Sequence, residues 1–289
     1  MARGFLQCGT LLLVAGCGWL GPPHDSAPLV LVVSWDTTRA DALGCYRDVA
    51  HWGADLDPTV RPIAQTPVAD GLCAAGQRFT WALAHAPTTL NSHASVFTGL
   101  DPHGTHVPRN GFPVPAALPL LTERFADAGW DTIAVVGASV LEPAMGLDRG
   151  FRVYDAETPR KVRRRFERSA PEVVTRALEL VDARPPDRPL FLFVHVFDAH
   201  SPWEADSAQF DLDDPLYKGT MDGSSAGLER LIQATRAGHP PTVDRIAARR
   251  HYLAEVAQMD RSLGVLMEGL RVRKTGPDQL IVLFGDHGE

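Results

Sequence analysis

Three apolar runs in this chain each end on residues that can bind a metal. LVLVVSW (29–35) leads into Asp36, LFLFVHVF (190–197) into Asp198 and His200, and LIVLFG (280–285) into Asp286 and His287. Carboxylate oxygens with imidazole nitrogens and no thiolate suit manganese, zinc or magnesium, and calcium less well. The runs themselves read as buried strands, because parallel sheets covered on both faces lose the apolar–polar alternation of half-exposed strands. Open α/β sheets bind their ligands just beyond the carboxyl ends of such strands. Side chains far apart in sequence are therefore expected in one cleft.

A second cluster, Thr88-Thr89-Leu90-Asn91-Ser92-His93-Ala94-Ser95-Val96-Phe97-Thr98-Gly99, reads as a loop entering a short helix. Gly99 closes the helix, and Asn91 or Ser92 is expected as its N-cap. Hydroxyls at a helix N-terminus sit where free N–H groups and the helix dipole favour an anion. Taken alone, the same hydroxyls also suit plain capping.

The elements that must carry these residues alternate between strand and helix, the α/β pattern. Strands are expected at Leu29–Trp35, Asp131–Val136, Leu190–Phe197 and Gln279–Phe284. A helix is expected over Ala117–Ala128, with Leu118, Leu121 and Phe125 on one face, and another over Pro171–Ala183, capped by Ser169. A third spans about Val243–Leu270, with an apolar stripe of Tyr252, Val256, Met259, Leu263 and Leu266. Residues 51–66 and 206–241, rich in Asp, Gly, Pro and Ser, read as surface loops near the site mouth. The basic run 160–165 reads as a solvated helix face.

With 289 residues, 45% of them hydrophobic, the chain can bury a sizeable core. Its net charge of -7 argues against a nucleic-acid binder, whose footprint is basic. At the start, Arg3 precedes a short apolar stretch ending in Val14-Ala15-Gly16-Cys17, too short to span a bilayer but right for a signal peptide. It resembles a bacterial lipobox. Residues 1–16 are then a signal peptide, Cys17 a lipidated N-terminus, residues 17–28 a tether, and residues 29–289 the folded domain, exported and held at a membrane in the periplasm or cell envelope. Cys45 and Cys73 remain in the folded part; export would permit a bond between them, though two thiols make no framework.

Together these features closely resemble the sulfatase branch of the alkaline phosphatase superfamily. The resemblance rests on VLVVSWDTTRADALGCY, FTWALAHAPTTLNSHASVFTGLDPHGTHVPRNG, DAGWDTIAVVGASV, GLDRGFRVYD, LFLFVHVFDAHSPW, YLAEVAQMDRSLGVLMEGL and IVLFGDHGE, in that order. It implies a three-layer α/β sandwich around a mostly parallel sheet. It also implies that Asp36, Asp286 and His287 bind a divalent metal with Thr89, and that Thr89 is the nucleophile. His93 stands where the family has Arg, and His200 in the D-x-H-x-P stretch resembles the histidine that contacts the substrate or its leaving oxygen. Both are candidate catalytic groups. Asn110 matches a pocket-lining position, and Asp198 either ligates a second metal or orients His200. His85, His103, His106 and His195 read as structural, and Arg39 and Asp41 as a local pair.

The departures from the family pattern narrow the chemistry. A formylglycine nucleophile requires Cys or Ser, and Thr89 cannot supply that aldehyde; Asn91 replaces the motif's Pro, and Gly137-Ala138-Ser139 replaces Gly-Lys-Trp. Asp286-His287 matches phosphate-directed relatives. The expectation is a hydrolase of phosphate or sulfate esters on a small molecule, glycan or lipid, phosphate favoured, working through a covalent Thr89 ester. The alternatives are a phosphoglycerol or phosphoethanolamine transferase and a noncatalytic surface lipoprotein. The family continues past the point where this sequence stops, so a fragment lacking a C-terminal subdomain is expected.

Overall fold

The computed structural model describes residues 27–48, 64–158, 167–239, 241–273 and 278–288. The leader with Cys17, most of the first expected loop and the basic run 160–165 lie outside the described residues.

Among the described residues five parallel strands form one sheet: β1 (Leu29–Trp35), β2 (Asp131–Val136), β3 (Val153–Asp155), β4 (Leu190–Val196) and β5 (Gln279–Gly285), in the order β3-β2-β4-β1-β5. Four of them match the expected strands to within a residue at either end. β3 is only three residues long, too short for a periodic signal, and its pattern does not announce it. The register sets Trp35 beside both Val196 and Gly285. The three site-bearing strands therefore end level, and the residues just after them emerge at one edge of the sheet.

Seven helices accompany the strands among the described residues: α1 (Pro67–Ala75), α2 (Thr89–Thr98), α3 (Pro102–Thr105), α4 (Leu121–Asp127), α5 (Ala170–Asp182), α6 (Ser225–Arg236) and α7 (Thr242–Val272). Strand side chains alternate between two cores. Leu31, Val33, Leu192 and Val194 pack towards α5 and α7, whereas Val32, Phe191 and Phe193 pack towards α2. This is the expected three-layer sandwich. The stripe expected on α7, from Tyr252 to Leu266, is wholly buried in the first core.

Three local expectations change. α4 begins at Leu121 rather than Ala117, because Pro119 cannot donate into a helix and the Leu120 N–H bonds the Glu123 carboxylate instead, 2.7 Å. The α2 N-cap is Thr88, not Asn91 or Ser92, which lie inside the helix with side chains bonded elsewhere. Residues 206–241 are not a plain loop: Ser224 caps α6, and Phe210, Leu212 and Met221 are buried. Short apolar insertions between polar residues hid that segment's core contacts.

Cys45 and Cys73 form a disulfide that ties the segment after β1 to α1. Among the described residues no helix is long and apolar enough to cross a membrane.

Candidate active site

Asp36 follows β1 directly, and Asp286 and His287 follow β5. Because β1 and β5 pair in register, their ligand atoms fall within 4.8 Å of one another. Gly285 permits this approach, since a Cβ there would collide with the Thr38 carbonyl oxygen. Thr37 turns away from the strand with a positive φ of 50°, uncommon for a β-branched residue, and donates its N–H to Asp286 Oδ1 at 3.0 Å.

Thr89 is the first residue of α2, and its hydroxyl lies 3.4 Å from His287 Nε2. The helix N-terminus is held by several side chains. Asn110 Oδ1 accepts the Leu90 N–H at 2.8 Å, Thr88 donates its hydroxyl to Asn91 Oδ1 at 2.7 Å, and Ser92 donates to the Asp286 carbonyl at 2.7 Å. Asn110, expected to line the pocket, thus supports the helix that carries Thr89.

The hydrogen bonds fix which imidazole nitrogens carry protons. His287 Nδ1 donates to the Gly288 carbonyl, 3.0 Å, which turns Nε2 towards Thr89 and Asp286. His195 Nδ1 accepts the Gly137 N–H at 3.3 Å, so its Nε2–H donates to Asp36 Oδ2 at 3.2 Å. His93 Nδ1–H donates to the Thr89 carbonyl at 2.7 Å, and its Nε2 accepts from Ser34 at 2.9 Å. Burial pushes both His93 and His195 down to about 4, so both are neutral at physiological pH.

Those facts alter two expectations. His93 has no exposed surface and both ring nitrogens are engaged, so it braces Thr89 and Asp286 and has no face left for substrate. His195, read as structural, touches Asp36. Its signal was present in the sequence, as the one polar residue within an otherwise apolar strand run, level with Ser34.

Asp36 and Asp286 are both buried, and desolvation raises both carboxyls above their usual range. For Asp36, His287 and the Thr89 hydroxyl oppose the shift; for Asp286, His93 opposes it and Asp36 adds to it. Asp36 Oδ1 and Asp286 Oδ2 have no hydrogen-bond partner although both are buried. Two adjacent buried carboxylates with orphaned oxygens, beside an imidazole nitrogen, are a donor set that fits a divalent cation.

Asp198 is not part of this cluster. Its Oδ1 accepts from the Ala170 N–H on α5, 2.8 Å, and from Gln258 on α7, 3.4 Å, rather than from His200. His200 stacks on Phe197, ring centroids 4.6 Å apart, and lies close enough to Asp36 to lower that carboxyl. Arg39 and Asp41 pair locally through two bonds of 3.0 Å.

An open parallel sheet thus gathers two carboxylates and an imidazole at its carboxyl edge, beside a hydroxyl on a helix N-terminus, in a group that could hold a cation. The sulfatase family model matches residues 28–289, and the chain belongs to that family. No curated protein matches the sequence. Similar solved structures include a protein of glycosaminoglycan metabolism from Bacteroides thetaiotaomicron, 18% identical, TM-score 0.61, with 92% of this chain and 62% of that one covered. The phosphonate monoester hydrolase of Agrobacterium radiobacter is 19% identical, TM-score 0.61, covering 91% and 63%. A 2-O GAG sulfatase is 18% identical, TM-score 0.57, covering 91% and 58%. The chain therefore spans about three fifths of the length of these structures.

Proposed function

We propose that this chain is a metal-dependent hydrolase of phosphate or sulfate esters, phosphate favoured, with Thr89 as nucleophile. The observation that carries the reading is the Thr89 hydroxyl, at a helix N-terminus and 3.4 Å from His287 Nε2, beside two buried carboxylates with unpartnered oxygens. Asp36, Asp286 and His287 would hold manganese, zinc or magnesium. Bound there, the ion would lower the pKa of the Thr89 hydroxyl and offset charge on the transferred group.

The chain's own residues do the rest. Thr89 Oγ1, its hydroxyl proton released to water, forms the bond to phosphorus as the bond to the ester oxygen breaks, and the positive end of the α2 dipole stabilises the anionic oxygens. His200 gives a proton to the leaving oxygen, and water then releases the group from Thr89. His93 and His195, neutral and fully bonded, hold Thr89 and Asp36 in place. A threonine cannot become formylglycine, which favours phosphate over sulfate. The glycosaminoglycan and phosphonate activities named for the similar structures support an ester on a glycan or small molecule. The Cys45–Cys73 bond supports an exported location, since disulfides persist in oxidising compartments, and the lipobox-like stretch ending in Cys17 supports a membrane anchor.

The test is intact-protein mass spectrometry after brief exposure to aryl phosphate or aryl sulfate with each metal. A gain of one phosphoryl or sulfuryl group that Thr89→Ala abolishes is the expected result. No adduct together with no metal-dependent release of the aryl alcohol would overturn the proposal.

A further inference from the structure

Two of the loops that reach the site, those after β1 and β4, are tied to α7. Tyr252 on α7 donates its hydroxyl to the Thr37 carbonyl and accepts the Arg39 N–H, each at 2.9 Å, fixing the segment after Asp36. Three residues on, Glu255 accepts the N–H of Glu204 and that of Ala205, the latter at 2.7 Å. Three further on, Gln258 reaches Asp198. The loop 198–205 that carries His200 is thus gripped at its start by Gln258 and at its end by Glu255. Between them, Trp203 is buried against Tyr252, donating its indole N–H to the Ala199 carbonyl at 3.0 Å and its backbone N–H to the Gly223 carbonyl at 2.9 Å.

Glu255 is only 3% exposed. Burial pushes its carboxyl up to about 7, with Asp198 and Glu204 adding repulsion. A buried carboxylate is costly unless its bonds matter to the fold or the site, and these bonds go to the loop. Packing alone would be served by an apolar side chain of similar size.

We propose that Glu255 is a positioning residue, holding His200 at the Asp36 cluster through the amides of Glu204 and Ala205. The inference rests on the reading of the Thr89 site as an ester hydrolase with His200 as proton donor. A residue that acts through His200 must lose its effect when His200 is gone, whereas a merely structural residue keeps it.

The experiment is a double-mutant cycle on an alkyl phosphate, whose poor leaving group depends on proton donation. Glu255→Ala is expected to lower kcat about 10-fold with little change in KM. In the His200→Ala background the same change should cost less than about 2-fold, and Glu255→Gln, which keeps an acceptor oxygen, should restore most of the rate. Should Glu255→Ala not fold, Glu255→Asp, one methylene shorter, carries the same cycle. Independently of turnover, the NMR signal of the His200 ring should move in Glu255→Ala and return in Glu255→Gln. Additive effects on kcat, or an unmoved His200 signal, would overturn the positioning role. A wild-type protein that hydrolyses no ester while the His200 signal still follows Glu255 would instead defeat the function reading and leave the loop assignment standing.

Discussion

β4 and β5 are both seven residues long and read alike as apolar runs, yet they meet opposite fates. Every residue of β4 is buried, whereas Leu280 and Val282 on β5 are 57% and 39% exposed. The difference is position. β4 pairs with β1 and β2, while β5 pairs with β1 and ends the sheet order. Leu280 and Val282 continue the row of Val30 and Val32, but the described residues leave them open to solvent. Apolar content therefore specifies a strand, and the number of its neighbours decides what the strand buries. The site draws on both: His195 and His200 come from the enclosed strand and the loop after it, Asp286 and His287 from the end of the edge one. The edge strand's grip on the site comes from tertiary bonds, Thr37 and Ser92 to Asp286.

The largest expected effect of this contrast is on stability. Phe193→Ala on β4 should cost about 3–5 kcal/mol by opening a cavity between α2 and the sheet. Leu280→Ala on β5 should stay within about 0.5 kcal/mol in the same denaturant titration. Equal costs would erase the distinction between the two strands.

Next in size is the effect of metal. At a concentration 100 times its Kd, a cation at the Asp36 cluster should add about 2.7 kcal/mol, and Asp286→Ala should remove that gain. Hydrogen exchange gives a second readout, because amides of β5 should slow on metal addition while those of β4 are already protected. Slowing confined to β4 would contradict the edge assignment.

The smallest effect is pH dependence from the α7 side of the sheet. Burial raises Asp198 to about 6 from 3.8 and Glu255 to about 7 from 4.5. Folding thus favours the protonated forms: the contribution is fully present below about pH 4 and is lost as pH rises through about 7. Glu255→Gln should flatten the upper part of that decline in melting curves taken at successive pH values. An unchanged profile would mean that Glu255 titrates normally in the folded protein.

Much of the fold was legible because its strands are long and uniformly apolar and α7 carries a regular stripe. β3 was not, since three residues carry no period. The convergence of Asp36, Asp286, His287 and Thr89 followed from strand ends and from the family resemblance. The parts that escaped were those decided by partners remote in sequence. Asn110 caps a helix twenty residues away, His93 is bonded on both nitrogens, Asp198 turns to α5, and His195 reaches Asp36 across neighbouring strands. None of these partnerships leaves a periodic mark, because a hydrogen bond is set by three-dimensional proximity and a polar residue type is compatible with many of them.

The link from Thr37 to Asp286 closes a span of 249 residues. Loop closure over such a length is slow, and β1 sits inside the sheet with β5 its later partner to be synthesised. The proposed catalytic centre would thus act as a timing device: a chain made only as far as the end of α7 holds β1 to β4 but lacks Asp286 and His287. On the proposed function, chemistry would wait until β5 docks, and such a molecule exposed to an ester would be inert.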